Sequence, residues 1–216
     1  MNMTGNLPCR RLLVGGTAAD TMWLADCLAT FKRDFAESVR LILPDAAQPA
    51  VLRDVLDPVL DQPPYTEARG GAGDPSLHVT LTTWAELFLV LPASAAIIGK
   101  AATGIADDLL SAAIAAGRPP VIFASGMSLE TWNRPAVQLD IAAVKKAGHI
   151  VIPPRAEAAA DGTAGWPTAE IVLRYLWHHH MRGLRARYWA EATAAPPATP
   201  AAAANPLTIQ RTAQAR

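Results

Sequence analysis

The chain has 216 residues, 51% of them hydrophobic and 18% charged, with 19 basic and 19 acidic side chains and no net charge at pH 7. Such a balance offers no global field to recruit nucleic acid or an anionic membrane surface, and no apolar run reaches the length of a membrane span. Cys9 and Cys27 make no disulfide framework, so a reducing, cytoplasmic setting is expected, and the opening MNMTGNLPCRR lacks an apolar signal core.

Residues 11–14 are predicted as a short strand running into Gly15-Gly16-Thr17, followed by a helical pattern to about Phe31. A second strand over 39–43 is ended by Pro44 and Asp45, and helical character resumes over 50–60. The stretch 62–75, QPPYTEARGGAGDP, is too polar and too broken by Pro and Gly for a core element. A strand over 87–91 ends in a Pro-Ala-Ser turn; small, helix-compatible residues follow, and a helix is predicted over 104–116. Then come a strand over 121–124, a helix over 136–147, a last strand over 149–152 and a helix over 168–192. The run ATAAPPATPAAAAN has no apolar periodicity and is expected to be disordered. Short apolar strands alternating with helices argue an α/β, Rossmann-like, doubly wound parallel sheet. The expected organisation is a tail over 1–10, a single domain over 11–192 and a second tail over 193–216.

Two loops are candidate phosphate cradles. Gly15-Gly16-Thr17 sits where the first strand meets the first helix, the usual phosphate position in such a sheet. Asp20 and Thr21 stand where a G-x-G-x-x-G fingerprint needs its last glycine, which disfavours a dinucleotide and allows a mononucleotide. A plain tight turn is the alternative. In the second loop, a strand, a turn of tiny residues and a helix start let backbone N–H groups converge, with the Ser94 hydroxyl added. An ordinary serine cap is the alternative there. His78 follows the broken loop and precedes a short amphipathic stretch; an imidazole titrating near neutrality suits proton transfer, although a lone histidine is more often structural. His178-His179-His180 point about a third of a turn apart on a helix and cannot share one ion well, so no metal is expected. A solvated helix end beside Arg174, Arg182, Arg185 and Arg187 is the default reading, and neither cysteine looks like a nucleophile.

The string PASAAIIGKAATGIADDLL over 92–110 resembles the PASANT and GIADNLL segments of the homo-oligomeric flavin-containing cysteine decarboxylases, and the resemblance extends over about 11–177. Gly16-Thr17-Ala18 matches that family's G-S/T-φ-A loop. HVTLTTWAE over 78–86 parallels its H-I-E-L-x-x-W-A-D, whose histidine is the active-site base. SGMSLETW over 125–132 takes the place of P-x-M-N-x-x-M-W: Met127 and Trp132 match, while Ser125, Ser128 and Thr131 replace Pro, Asn and the second Met. The family asparagine holds the substrate carboxylate, so Ser128 is a serious departure; Ala96-Ile97 in place of Asn-Thr is another.

The resemblance implies FMN held by Gly16, Thr17, Ala18, Pro44, Asp45, Ala46, Ser94, Ala95, Ala96, Ile97 and Met127, with His78 and Ser128 as catalytic residues. It further implies a homotrimer, or a homododecamer of four trimers, with FMN at subunit contacts. Coenzyme A-pathway members carry a flap cysteine that reduces the enethiol intermediate; Asp161 stands roughly at its place. The implied reaction is therefore oxidative decarboxylation of the C-terminal cysteine of a ribosomally made precursor peptide. Oxidation at the cysteine Cβ, with His78 taking the thiol proton directly or indirectly, gives a thioaldehyde that acts as the electron sink for loss of carbon dioxide and leaves an aminoenethiol. Phosphopantothenoylcysteine decarboxylation and a non-catalytic binding or regulatory role stay open; flavin prenyl transfer is disfavoured by HVTLTTW and GMSLETW.

Overall fold

Five apolar runs build one parallel sheet in the order β2-β1-β3-β4-β5, from β1 (Cys9–Gly15), β2 (Ala36–Ile42), β3 (Leu87–Ala93), β4 (Val121–Ser125) and β5 (Ile150–Ile152). Every residue of β3 and β4 is buried, as expected of central strands covered on both faces. The computed structural model describes residues 7–17, 21–44, 56–67, 74–117, 120–155 and 165–193. Two compact units are distinguished, Met1–Met181, which holds the sheet, and Arg182–Arg216, described only over helical residues 182–193.

Alternate side chains of each strand enter two separate cores, the period-two consequence of the pleat. Leu12, Val14, Leu41, Leu89 and Ile122 face one side, where they pack with Leu24, Leu28 and Phe31 of α1 (Thr21–Asp34) and Val172 and Leu176 of the last helix, α7 (Ala169–Thr193). Leu13, Ile42, Phe88, Val90 and Phe123 face the other. There they meet α2 (Leu77–Trp84), α3 (Ala95–Thr103), α4 (Leu109–Ala116) and α6 (Pro135–Lys146) through Leu81, Ile98, Ile114 and Ile141. A one-turn helix, α5 (Leu129–Trp132), links β4 to α6.

One element differs from the sequence expectation, and another stands where the sequence reading assigns no secondary structure. The helix expected over 104–116 begins only at Leu109: Gly104, at φ 73°, is the left-handed terminator of α3, and Asp108 opens α4 with a reciprocal capping box to Ser111. The amphipathic stretch after the broken loop is helical, because Leu77 and Leu81 stand one turn apart and bury together. Most of the helix expected over 50–60 lies outside the described residues; Leu56 is helical and buried.

Each outer strand of the sheet is handled differently. Tyr65 pairs with β2 in parallel, its N–H donating to the Leu41 carbonyl at 2.8 Å and its carbonyl accepting from Leu43 N at 2.9 Å. At the opposite side β5 is three residues long. Among the described residues no helix is long and apolar enough to cross a membrane.

Candidate active site

In the strand order 2-1-3-4-5 the connections leaving β1 and β3 depart to opposite faces, opening a crevice beyond their carboxyl ends where ligands bind in such sheets. A cleft of about 190 Å³ occupies that position. Gly16 and Thr17 enter it from the end of β1, Ile42, Leu43 and Pro44 from the end of β2, Ser94, Ala96 and Ile97 from the start of α3, and Leu109 and Leu110 from the start of α4. Hence the two loops singled out in the sequence share one wall, and Gly16, Thr17, Pro44, Ser94, Ala96 and Ile97 come together.

The turn after β1 is held tightly. Gly16 N donates to the Ile42 carbonyl at 2.8 Å, and a Cβ on Gly16 would stand 2.4 Å from Leu43 Cδ2. The Thr17 hydroxyl donates to the Pro92 carbonyl at 2.8 Å, so its one proton is committed to joining the two loops. Ser94 caps α3, its Oγ accepting from Ile97 N at 3.3 Å, which leaves its own hydroxyl proton available to a ligand. The first-turn N–H groups of α3 supply positive potential alongside it.

Among the described lining residues the charged ones are Glu67, Lys100 and Asp108. Lys100 Nζ lies 2.5 Å from carboxylate oxygens of both Asp107 and Asp108. Its hydrogen bonds to Asp107 and Asp108 hold the ammonium above the ordinary lysine range, and the same bond from Lys100 holds the Asp107 carboxyl below its usual range. Burial pushes the Asp108 carboxyl up, yet the hydrogen bonds from Lys100 and Ser111 outweigh it and keep it low. Glu67 accepts from the Leu109 backbone N–H and adds a further carboxylate to the lining. An anionic group is favoured at the Ser94 hydroxyl and the α3 helix start, which offer donors, rather than beside the Glu67 and Asp108 carboxylates, while Ile42, Leu43, Ile97 and Leu110 offer apolar lining for a planar ring.

These residues fit a flavin mononucleotide in part. The cleft is smaller than the roughly 300–1,000 Å³ typical of a pocket that encloses a whole ligand. Residues 18–20, 45–50 and 68–73, next in sequence to Thr17, Pro44 and Glu67, lie outside the described residues, and so do the expected ligands Ala18, Asp45 and Ala46 and the position of Asp161.

Four other expected residues stand apart from the lining of this cleft. Ala95 is the first residue of α3. Met127 is buried in the second core, and its side chain packs rather than opening to the crevice. His78 is half-buried on α2, where its carbonyl accepts from the Thr82 hydroxyl at 2.9 Å. Ser128 caps α5, its exposed Oγ accepting from Thr131 N at 3.2 Å and donating to Thr131 Oγ1 at 3.2 Å. Just before it, the Gly126 carbonyl accepts from Trp166 Nε1 at 3.0 Å, and the Trp166 ring stands edge-on to Trp23 with centroids 4.7 Å apart. Burial pushes both thiols up to about 12, so Cys9 and Cys27 are unreactive as free groups, in keeping with the sequence reading.

Lys100, Glu67, Asp108, Leu109 and Leu110 were missed as lining residues from the sequence. Lys100 could have been found from its acidic partners seven and eight positions on; Glu67 arrives from 42 residues away with no local signal.

The flavoprotein family model matches residues 7–179, and the chain belongs to that family. Among its solved neighbours are MrsD from Bacillus sp. HIL-Y85/54728 (TM-score 0.69, 25% identity, 81% of this chain and 98% of that one) and the peptidyl-cysteine decarboxylase EpiD (TM-score 0.66, 25% identity, 78% and 99%). Mersacidin decarboxylase of Bacillus sp. strain HIL-Y85/54728 is 30% identical over 146 residues, 67% of this chain and 74% of that protein. The bifunctional coenzyme A biosynthesis protein CoaBC of Mycobacterium bovis is 39% identical over 98 residues, which are 44% of this chain and 23% of that protein. The chain thus spans only about a quarter of the length of such bifunctional relatives. These neighbours place it among the flavin-containing cysteine decarboxylases, whose cofactor is FMN.

Proposed function

We propose that this chain is an FMN-dependent decarboxylase acting on the C-terminal cysteine of a precursor peptide. The observation that carries the reading is the cleft at the β1/β3 crevice, where Thr17 and a Ser94-capped helix start meet an apolar wall. Likeness to mersacidin decarboxylase over two thirds of the chain supports the peptide substrate. When bound, FMN supplies the two-electron oxidation of the cysteine side chain.

The protein's own part is binding, orientation and proton handling. The Ser94 hydroxyl and the N–H groups of Thr17 and the first turn of α3 hold the cofactor, and Ile42, Leu43, Ile97 and Leu110 keep water from its ring. Gly16, Pro44 and Ala96 belong to the same lining, and Ala95 and the residues at 18, 45 and 46 complete the cofactor set in this reading. His78 accepts the thiol proton, and the Ser128 turn holds the peptide carboxylate. Since His78 does not line the cleft of its own chain, it serves the cleft of a second copy in a homotrimer or larger assembly. Val79 beside it (45% exposed) and Leu139 on α6 (72% exposed) are apolar side chains that such contacts would cover.

The test is mass spectrometry of a synthetic peptide ending in cysteine, incubated with protein that copurifies with FMN. The peptide is expected to lose carbon dioxide and two hydrogens, and a peptide ending in serine is expected to stay intact. A colourless protein that fails to take up added FMN overturns the reading. The identity to CoaBC favours a second reading, decarboxylation of phosphopantothenoylcysteine. Turnover of that compound with the peptide untouched selects it.

A further inference from the structure

At the amino ends of the strands, on the far side of the sheet from the cleft, three metal-binding side chains converge. Cys9 is the first residue of β1, Glu86 directly precedes β3, and His180 lies on α7. Their ligand atoms all lie within 4.8 Å of one another. Cys9 is fully buried, His180 is 3% exposed and Glu86 is half-buried. Among the described residues His180 Nε2 has no hydrogen-bond partner. A buried imidazole nitrogen left unpaired costs free energy, which a bound ligand would recover.

We propose that Cys9, Glu86 and His180 bind one zinc-class divalent ion per chain, at a site separate from the flavin cleft.

Thiolate, imidazole and carboxylate are the donors zinc takes, at about 2.3, 2.0–2.1 and 2.0–2.2 Å. Tetrahedral geometry with those lengths brings ligand atoms to roughly 3.5 Å from one another, so the trio must draw in by about an ångström. Glu86, the least buried of the three, has the freedom to do so. The charge also balances. One thiolate and one carboxylate neutralise a divalent cation, the condition a buried ion requires. The cation replaces the thiol proton, which passes to solvent, and water from the half-exposed Glu86 side fills the fourth position.

Outer partners already orient the ligands. Arg10 N donates to Glu86 Oε2 at 3.0 Å, leaving Oε1 for the ion. Cys9 N donates to the Phe35 carbonyl at 3.1 Å, and the Phe35 ring stands edge-on to His180 with centroids 6.0 Å apart. Only one residue of the triple-histidine run takes part, so the helical geometry that forbids a shared ion among the three does not apply. Bound there, the ion would pin α7 to the starts of two strands.

The experiment is a zinc titration by calorimetry of the chelator-treated full chain, flavin retained, with cobalt(II) substitution read at wavelengths beyond the flavin bands. The wild-type chain is expected to bind one equivalent and to show the intense d–d absorption of tetrahedral cobalt. Cys9→Ser, which keeps the side-chain shape, and His180→Gln are each expected to weaken zinc at least tenfold, since outer-sphere partners alone contribute 10–100-fold. The exposed neighbour His178, changed in His178→Ala, is expected to leave affinity and spectrum unchanged. Zinc is expected to raise the melting temperature of the wild-type chain but not of Cys9→Ser. Less than half an equivalent bound by the wild type, octahedral cobalt spectra, or unaltered affinity in Cys9→Ser would each overturn the site. None of these readings depends on turnover.

Discussion

Gly165 is the most exacting backbone position near the proposed substrate turn. Its φ is +89°, and a Cβ there would stand 2.4 Å from the Met127 carbonyl oxygen. Gly165→Ala therefore carries two costs. The left-handed conformation costs an L-residue about 1–2 kcal/mol, and forcing a methyl against backbone adds about 1–3 kcal/mol. Reduced freedom of the unfolded chain returns about 0.4–1 kcal/mol. The net destabilisation is about 1–5 kcal/mol, which in a domain of this size lowers Tm by about 2–20 °C. Gly104 is the matched control, at φ +73° with nothing within 4 Å of its Cβ, so that Gly104→Ala bears the conformational cost alone. Its expected loss is about 1 kcal/mol, or about 2–4 °C. Thermal unfolding followed by circular dichroism compares the pair. Equal melting temperatures would show that the Met127 carbonyl yields freely and that the packing between residues 126–128 and 165–166 is soft.

His78→Ala is expected to retain flavin and to lose turnover of a cysteine-ending peptide, because the cleft lining does not include His78; undiminished turnover would make His78 structural. Ser128→Ala removes a hydroxyl bonded to Thr131, and a hydrogen bond to a charged group is worth about 1.5–3 kcal/mol, so turnover should fall by about one to two powers of ten. Complete loss with flavin still bound would assign the whole carboxylate-holding role to the serine. Burial raises the Asp61 carboxyl, but hydrogen bonds from Lys32, Ser38 and the Val39 N–H together hold it below the usual range. A lowered carboxyl stabilises the fold above the unfolded-state value of about 4 and loses that contribution as pH falls through the folded value. Acid titration of stability should accordingly be shallower in Asp61→Asn, and an unchanged slope would dismiss Asp61 as a contributor.

The sheet was legible because its strands are short and largely apolar, unbroken in β3 and interrupted only by arginines and small polar or acidic residues in β1 and β2, and the crevice because both of its cradles begin at strand ends. The sequence misplaced the helix start near Gly104, because helix-compatible residues on both sides hide a left-handed terminator; only the Asp108–Ser111 pair marks the true beginning. Thr80, Thr82 and Thr83 disguise α2, since β-branched residues weaken a helical reading. In the structure the Thr82 hydroxyl bonds back to the His78 carbonyl and Leu81 is buried, so packing overrides propensity. Cys9, Glu86 and His180 are brought together from three distant segments, a convergence that no local spacing announces.

The treatment of the outer strands bears on how copies of this chain can meet. Open backbone edges invite strand-to-strand addition and, unchecked, aggregation. Here the β2 margin is bridged at its carboxyl end by Tyr65 and has its Val39 N–H taken by Asp61, and the other margin offers only three residues, too short a template for a partner strand. Association by edge pairing is thus discouraged at both margins, and recognition falls to helical faces, whose side chains can be matched to one partner and mismatched to others. A fold that hides its backbone this way can form closed, countable assemblies without being drawn into open-ended ones.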